Sequence, residues 1–191
     1  MKYITLGLTA CVAAALAAPT GKLQCHKVLS KGRMIVKTQG TMLDEETEVA
    51  LDGKSLYERE GGVMEVDFFE CEPPSGAYKR TNKKHTRGQV RSLDGRCLTV
   101  GGVDNRGSTT GFEAKNGFVT LEHCDEHDPR LQWWQLSKPS ELYALEYIGQ
   151  KGDKTRPEAA RKDDRIYMLR NDDPNQFHGP FAISTLSLRA Q

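Results

Sequence analysis

The sequence predicts an all-β protein, and three observations carry that prediction. Short alternations of apolar and polar residues, rich in β-branched and aromatic side chains, recur along the chain. Turn dipeptides containing glycine separate them. Signals for helices are few. Runs of about four to eight residues bounded by turn formers are the pattern of strands packed on one face.

The first residues are read apart from the rest. Lys2 supplies a positive start, Ile4 to Leu16 are apolar and small apart from Thr5 and Thr9, and Ala15-Leu16-Ala17 is a cleavage-site pattern. A secretory signal peptide over residues 1–17 is expected, leaving 18–191 as the mature chain. The apolar run stops at Pro19, short of the roughly 18 residues that a membrane span needs.

The strand runs then follow in order: Arg33-Met34-Ile35-Val36, Val63 to Phe69, Cys97-Leu98-Thr99-Val100, Phe118-Val119-Thr120-Leu121, Tyr143 to Ile148, Arg165 to Leu169 and Phe181 to Leu186. Between them lie Asp52-Gly53, Gly61-Gly62, Asp94-Gly95, Gly101-Gly102, Asn116-Gly117 and Gly152-Asp153, where glycine supplies the positive φ of tight turns. Leu43 to Leu51 and Pro157 to Arg161 carry the only helical signals, and either reads equally well as an excursion between strands. Glu72 to Gly88 is poor in apolar residues and holds Lys79, Arg80, Lys83, Lys84, His85 and Arg87. It reads as a solvated linker; the sharper readings are an anion-binding patch or dibasic processing at Lys79-Arg80.

Composition narrows function. The 191 residues carry 27 Lys+Arg against 26 Asp+Glu, a net charge of +1, so there is no global basic field of the kind that binds a phosphate backbone. No nucleic acid partner and no membrane span are expected. Cleavage would remove Cys11 and leave Cys25, Cys71, Cys97 and Cys124, an even number that suits disulfides in an oxidising compartment. Three pairings are open to four cysteines, and they are too widely spaced for zinc ligands that come in close pairs. His123, Asp125, Glu126, His127 and Asp128 cluster around Cys124, yet in a loop they lack the helical spacing that aims two ligands at one ion. No metal, cofactor or catalytic motif is expected, and the protein is read as non-enzymatic.

The stretch Gly88 to Leu136 is the most informative. It runs as a strand at Gly88-Gln89-Val90-Arg91-Ser92, a cysteine strand at Gly95-Arg96-Cys97-Leu98-Thr99-Val100, a second at Val119-Thr120-Leu121-Glu122-His123-Cys124, and a closing Gln132-Trp133-Trp134. This order resembles one repeat of the ricin B-type lectins, and the combination of leader and degenerate repeat is similar to fungal secreted proteins. The resemblance implies a β-trefoil of three pseudo-repeats, here about 22–76, 88–136 and 141–191. It also implies a Cys97–Cys124 bridge worth roughly 3 kcal/mol by loop entropy, with Cys25–Cys71 as its counterpart in the first repeat. Trp134 would enter the core on the side of Gln132, and Trp133 would face solvent or a groove. The third repeat has neither cysteine nor Gln-x-Trp.

The resemblance implies carbohydrate binding, with glycans or glycoproteins at a cell surface as partners. The family's usual pocket aspartate and asparagine fall here on Thr99 and Leu131, which removes hydrogen-bonding capacity. A rewired pocket would use Asp104 and Asn105 for hydrogen bonds, Phe112, Phe118 or Trp133 for stacking, and Gln132 across the floor. Equally, Asp104 and Asn105 read as turn formers, Phe118 as core, and Gln132 as a brace for the backbone. Two functions follow: a secreted lectin-like protein, or a secreted trefoil without sugar binding that acts on a protein partner as a protease inhibitor or effector.

Overall fold

The computed structural model describes residues 22–38, 45–72, 85–101, 118–127, 129–138, 142–148, 157–162, 164–170 and 182–191. The leader, Lys79-Arg80, and the segment holding Asp104, Asn105 and Phe112 lie outside the described residues. Those described form a twelve-stranded antiparallel sheet with no α-helix. The strands are β1 (Gln24–Thr38), β2 (Glu45–Asp52), β3 (Ser55–Glu58), β4 (Glu65–Glu72), β5 (Thr86–Ser92) and β6 (Cys97–Val100). They continue as β7 (Val119–Glu122), β8 (Trp134–Ser137), β9 (Tyr143–Tyr147), β10 (Pro157–Lys162), β11 (Arg165–Arg170) and β12 (Ala182–Arg189).

Six strands pair in the order β12-β9-β8-β5-β4-β1, and β1 pairs back onto β12 from Arg33↔Arg189 to Thr38↔Ser184. The pairing therefore closes on itself and leaves these six strands no free edge. The other six form hairpins β2–β3, β6–β7 and β10–β11, attached to β1, β5 and β12. The hairpins also meet one another, through Ser55↔Thr120, Tyr57↔Arg165 and the bridge Phe118↔Tyr167.

Local chemistry explains the elements. In β4 the alternation of Val66 and Phe68 puts both in the core at 0 % exposure, while Phe69 on the opposite face is half-buried. Asp52-Gly53 and Asp94-Gly95 turn the chain with Gly53 at φ 61 and Gly95 at φ 84, a conformation that glycine adopts without strain. The fifteen-residue β1 is broken by register shifts between Lys27 and Leu29 and between Leu29 and Gly32. Lys31 takes φ 50 within it, and the buried carboxylate of Asp67 on β4 accepts its N–H at 2.9 Å.

Over the described residues, both segments with helical signals are strands. β2 pairs with β1 and β3 and sends Val49 into the core, so long-range pairing overrides a weak local helical preference. In β10, Pro157 stands first, where a missing N–H is tolerated.

One core holds Met34, Phe68, Val90, Leu98, Trp134, Ile166 and Leu188 together with residues from every other strand. The four cysteines form Cys25–Cys71 and Cys97–Cys124, with Cα atoms 4.1 and 4.9 Å apart. This is the pairing that the repeat implies. No helix among the described residues is long and apolar enough to cross a membrane.

Candidate functional site

Two groups of side chains compete for the role of a site. The first surrounds Gln132, at the end of a 3-10 turn over Pro129–Gln132 that swings the chain into β8. Its amide Nε2 donates to Thr99 Oγ1 at 3.0 Å and to the His123 carbonyl at 2.7 Å. Its Oε1 accepts from the Asp125 N–H at 2.8 Å and from Gln89 Nε2 at 3.3 Å. Two donors and two acceptor sites are all that an amide side chain has. Gln132 is buried and fully engaged in bracing the protein, with nothing left for a sugar hydroxyl. Thr99, at the position of the usual pocket aspartate, is buried and donates to the Cys97 carbonyl at 2.9 Å. Leu131, in place of the asparagine, is 42 % exposed and apolar.

The neighbouring tryptophans are both interior. Trp134 packs in the core, donates from Nε1 to the Leu98 carbonyl at 2.9 Å and sets its ring edge-on to Tyr147 at 5.5 Å. Trp133 does leave the core side, but it faces neither solvent nor a groove. At 0 % exposure it lies in a second apolar cluster with Leu23 and Cys71, against Cys25, Phe69 and Ile148. The outward side of β8 is roofed by the N-terminal segment and the first disulfide, and that roof corrects the expectation of an exposed stacking ring.

Phe118 has a different setting. It is half-buried where the three hairpins meet, with its ring 4.7 Å from Tyr167. The Arg165 guanidinium lies 5.1 Å from the Phe118 ring and 5.2 Å from that of Tyr57, and its Nε donates to Tyr57 Oη. Strand alternation produces this grouping. Leu56, Val119 and Ile166 turn into the core, so Tyr57, Phe118, Arg165 and Tyr167 share the opposite face of the hairpins. Tyr167 is buried beneath the other three, which are half-buried.

Electrostatics set this group apart. The buried Glu58 carboxylate takes Arg161 at 2.6 Å, and Glu122 takes Lys54 at 2.8 Å. Among the described residues, no carboxylate pairs with Arg165. Elsewhere Arg91 stands 4.4 Å and Lys27 5.5 Å from the ring of Phe69, but these cations are engaged. Lys27 pairs with Asp67, and Arg91 donates twice to Gln89 Oε1, at 2.8 and 3.3 Å. Burial lowers the pKa of Arg91, a shift that the nearby Glu126 opposes. A hydrogen bond from Lys22 in turn holds the exposed Glu126 carboxyl below its usual range.

Of the residues named for a rewired sugar pocket, Asp104, Asn105 and Phe112 are not described, Gln132 and Trp133 are buried, and Phe118 is half-buried. Tyr57, Arg165 and Tyr167 had no local signal, because Tyr57 and Arg165, 108 positions apart in sequence, are brought together by hairpin pairing alone. Aromatic faces beside a guanidinium can pack the C–H face of a sugar while donating hydrogen bonds to its oxygens. Among the described residues, no group of three or more His, Cys, Asp or Glu is placed to hold a metal ion. Compared with known families and curated proteins, the chain matches no family and no curated protein.

Proposed function

We propose that the protein is a secreted, non-enzymatic carbohydrate-binding protein, built as a degenerate β-trefoil of the ricin B type over residues 18–191 behind a leader of 1–17. Three features support the trefoil. Each pseudo-repeat supplies a ring strand, a hairpin and a second ring strand in that order: β1 to β4, β5 to β8, β9 to β12. The hairpins converge at one end. The first two repeats each carry their own disulfide. Secretion is supported by those bridges and by the leader pattern.

The sugar reading rests on the half-exposed Tyr57, Phe118 and Arg165 at the meeting point of the hairpins. The surface is apolar and aromatic with polar donors at its centre, the composition that a sugar with one C–H face and a rim of hydroxyls requires. Its test is a glycan array of the oxidised protein starting at Ala18, with hits titrated in solution. Phe118→Ala is expected to weaken binding about tenfold, and Leu131→Ala to leave it unchanged. Equal affinity for both variants would remove the site from consideration. A blank array would overturn the sugar reading and favour the second one, a scaffold acting on a protein partner as an inhibitor or effector. The second reading draws on the loss of the usual pocket, since Thr99 and Gln132 are spent inside and Leu131 has no polar group.

A further inference from the structure

We infer that the Arg165 group takes sugars bearing an anionic oxygen group, a carboxylate or a sulfate ester, in preference to neutral ones. The inference rests on the carbohydrate reading and deepens it. A guanidinium half-removed from water without a counter-ion is costly, and ring faces compensate only part of that cost. Arg165 is in that position. Its Nε is satisfied by Tyr57 Oη, while its two Nη groups have no acceptor among the described residues.

Two carboxylates on the neighbouring hairpins have other partners. Glu58, across the β3–β11 pairing, belongs to Arg161 at 2.6 Å, and Glu122 on β7 belongs to Lys54 at 2.8 Å. Asp164 precedes Arg165 in a positive-φ turn at φ 62, exposed, and makes no ion pair with it. Its backbone carbonyl instead accepts the Glu58 N–H at 2.7 Å. The fork of Arg165 is thus held in place by Tyr57 through Nε and flanked by two rings, with its Nη donors unspent among the described residues. A planar fork of this kind matches a carboxylate or a sulfate through paired charge-assisted hydrogen bonds. A neutral hydroxyl would use one donor and leave the charge uncompensated. Tyr57 and Phe118 would then pack the ring of the same sugar, so one residue group recognises both its apolar face and its charge.

Isothermal titration of the oxidised protein tests this with three probes: a methyl sialoside, a sulfated methyl galactoside and neutral methyl galactoside. One or both charged probes are expected to bind at least tenfold more tightly than the neutral one, and added salt should weaken them. Arg165→Gln should remove that advantage, and Arg165→Lys should keep part of it. The near-ultraviolet circular dichroism of each variant verifies its fold. Binding of the sialoside alone or of the sulfated probe alone identifies which group the fork accepts. If the neutral probe binds as well as the charged ones, or Arg165→Gln in a folded protein keeps the preference, the inference is overturned while sugar binding stands. No binding to any probe overturns both.

Discussion

Asp67 lies on β4 with its carboxylate buried against β1, where Oδ1 accepts the N–H of Lys31 at 2.9 Å and Oδ2 meets Lys27. Burial alone would raise its pKa, but the hydrogen bonds from Lys27 and from the Lys31 backbone outweigh it and leave the value below the usual 3.8. A depressed folded-state pKa contributes stability that is fully present above the unfolded value and is lost as pH falls through the folded one. Asp67→Asn should therefore cost about 2 kcal/mol at pH 7, as expected for hydrogen bonds to a charged group. The difference from wild type should shrink as pH falls below about 4, where the wild-type carboxylate also protonates. Urea denaturation of both proteins across that range reads it directly, and a gap independent of pH would show that the carboxylate charge is not what secures the β1 bulge. Nothing in the sequence near Lys31 indicates this arrangement, because its partner is 36 residues away. Trp133 was legible in part. Alternation correctly sends it away from the core, yet which surface is roofed depends on Leu23 and Cys71, far from it in sequence.

At the level of the strand, Gly88 shows how closely β4 and β5 approach. A Cβ built on it would lie 1.8 Å from the Phe69 carbonyl oxygen and 2.9 Å from the Cys71 nitrogen. Both are backbone atoms, held by the pairing of Glu70 with Gly88 and by the Cys25–Cys71 bridge, so neither can swing aside. Gly88→Ala should cost about 3 kcal/mol or more by overpacking, measured as a shift in the denaturation midpoint. A loss under about 0.5 kcal/mol, the range of an ordinary surface change, would mean that the two strands separate more easily than their pairing implies. Strands such as Cys97–Val100 and Arg165–Arg170 were legible because their apolar, β-branched and aromatic runs are buried, the first at all four positions. β2 and β10 were not, since Glu45–Asp52 and Pro157–Lys162 are polar and rely on partners at both sides for their conformation. The same limit hid Arg165, which the apolar pattern marks only as the start of a strand.

At the level of the molecule, every one of the twelve strands contributes to a single core. Among the described side chains β2 supplies Val49 and β10 Ala159, whereas β12 supplies Leu186 and Leu188. Among the described residues that one cluster draws on all twelve strands, and the ring closes only when β12 pairs with β1. Loop entropy must then be overcome before the longest-range contacts form, the condition for all-or-none behaviour in a small β protein. The oxidised protein should unfold in one transition, with tryptophan fluorescence and far-ultraviolet circular dichroism coincident. Fluorescence follows Trp133 and Trp134 at the start of β8, while circular dichroism averages over all strands, so independently folding parts would separate the two curves. Removing 182–191 deletes the partner of β1, β9 and β10 together and should leave a chain without a cooperative transition, disulfides notwithstanding. The bridges span 46 and 27 residues, from β1 to β4 and from β6 to the segment after β7, so they restrain the unfolded chain locally but cannot close the ring. A truncated protein that still melted sharply, or an isolated segment 88–136 that folded alone, would mean that part of the chain carries its own core and that closure adds to stability without creating it.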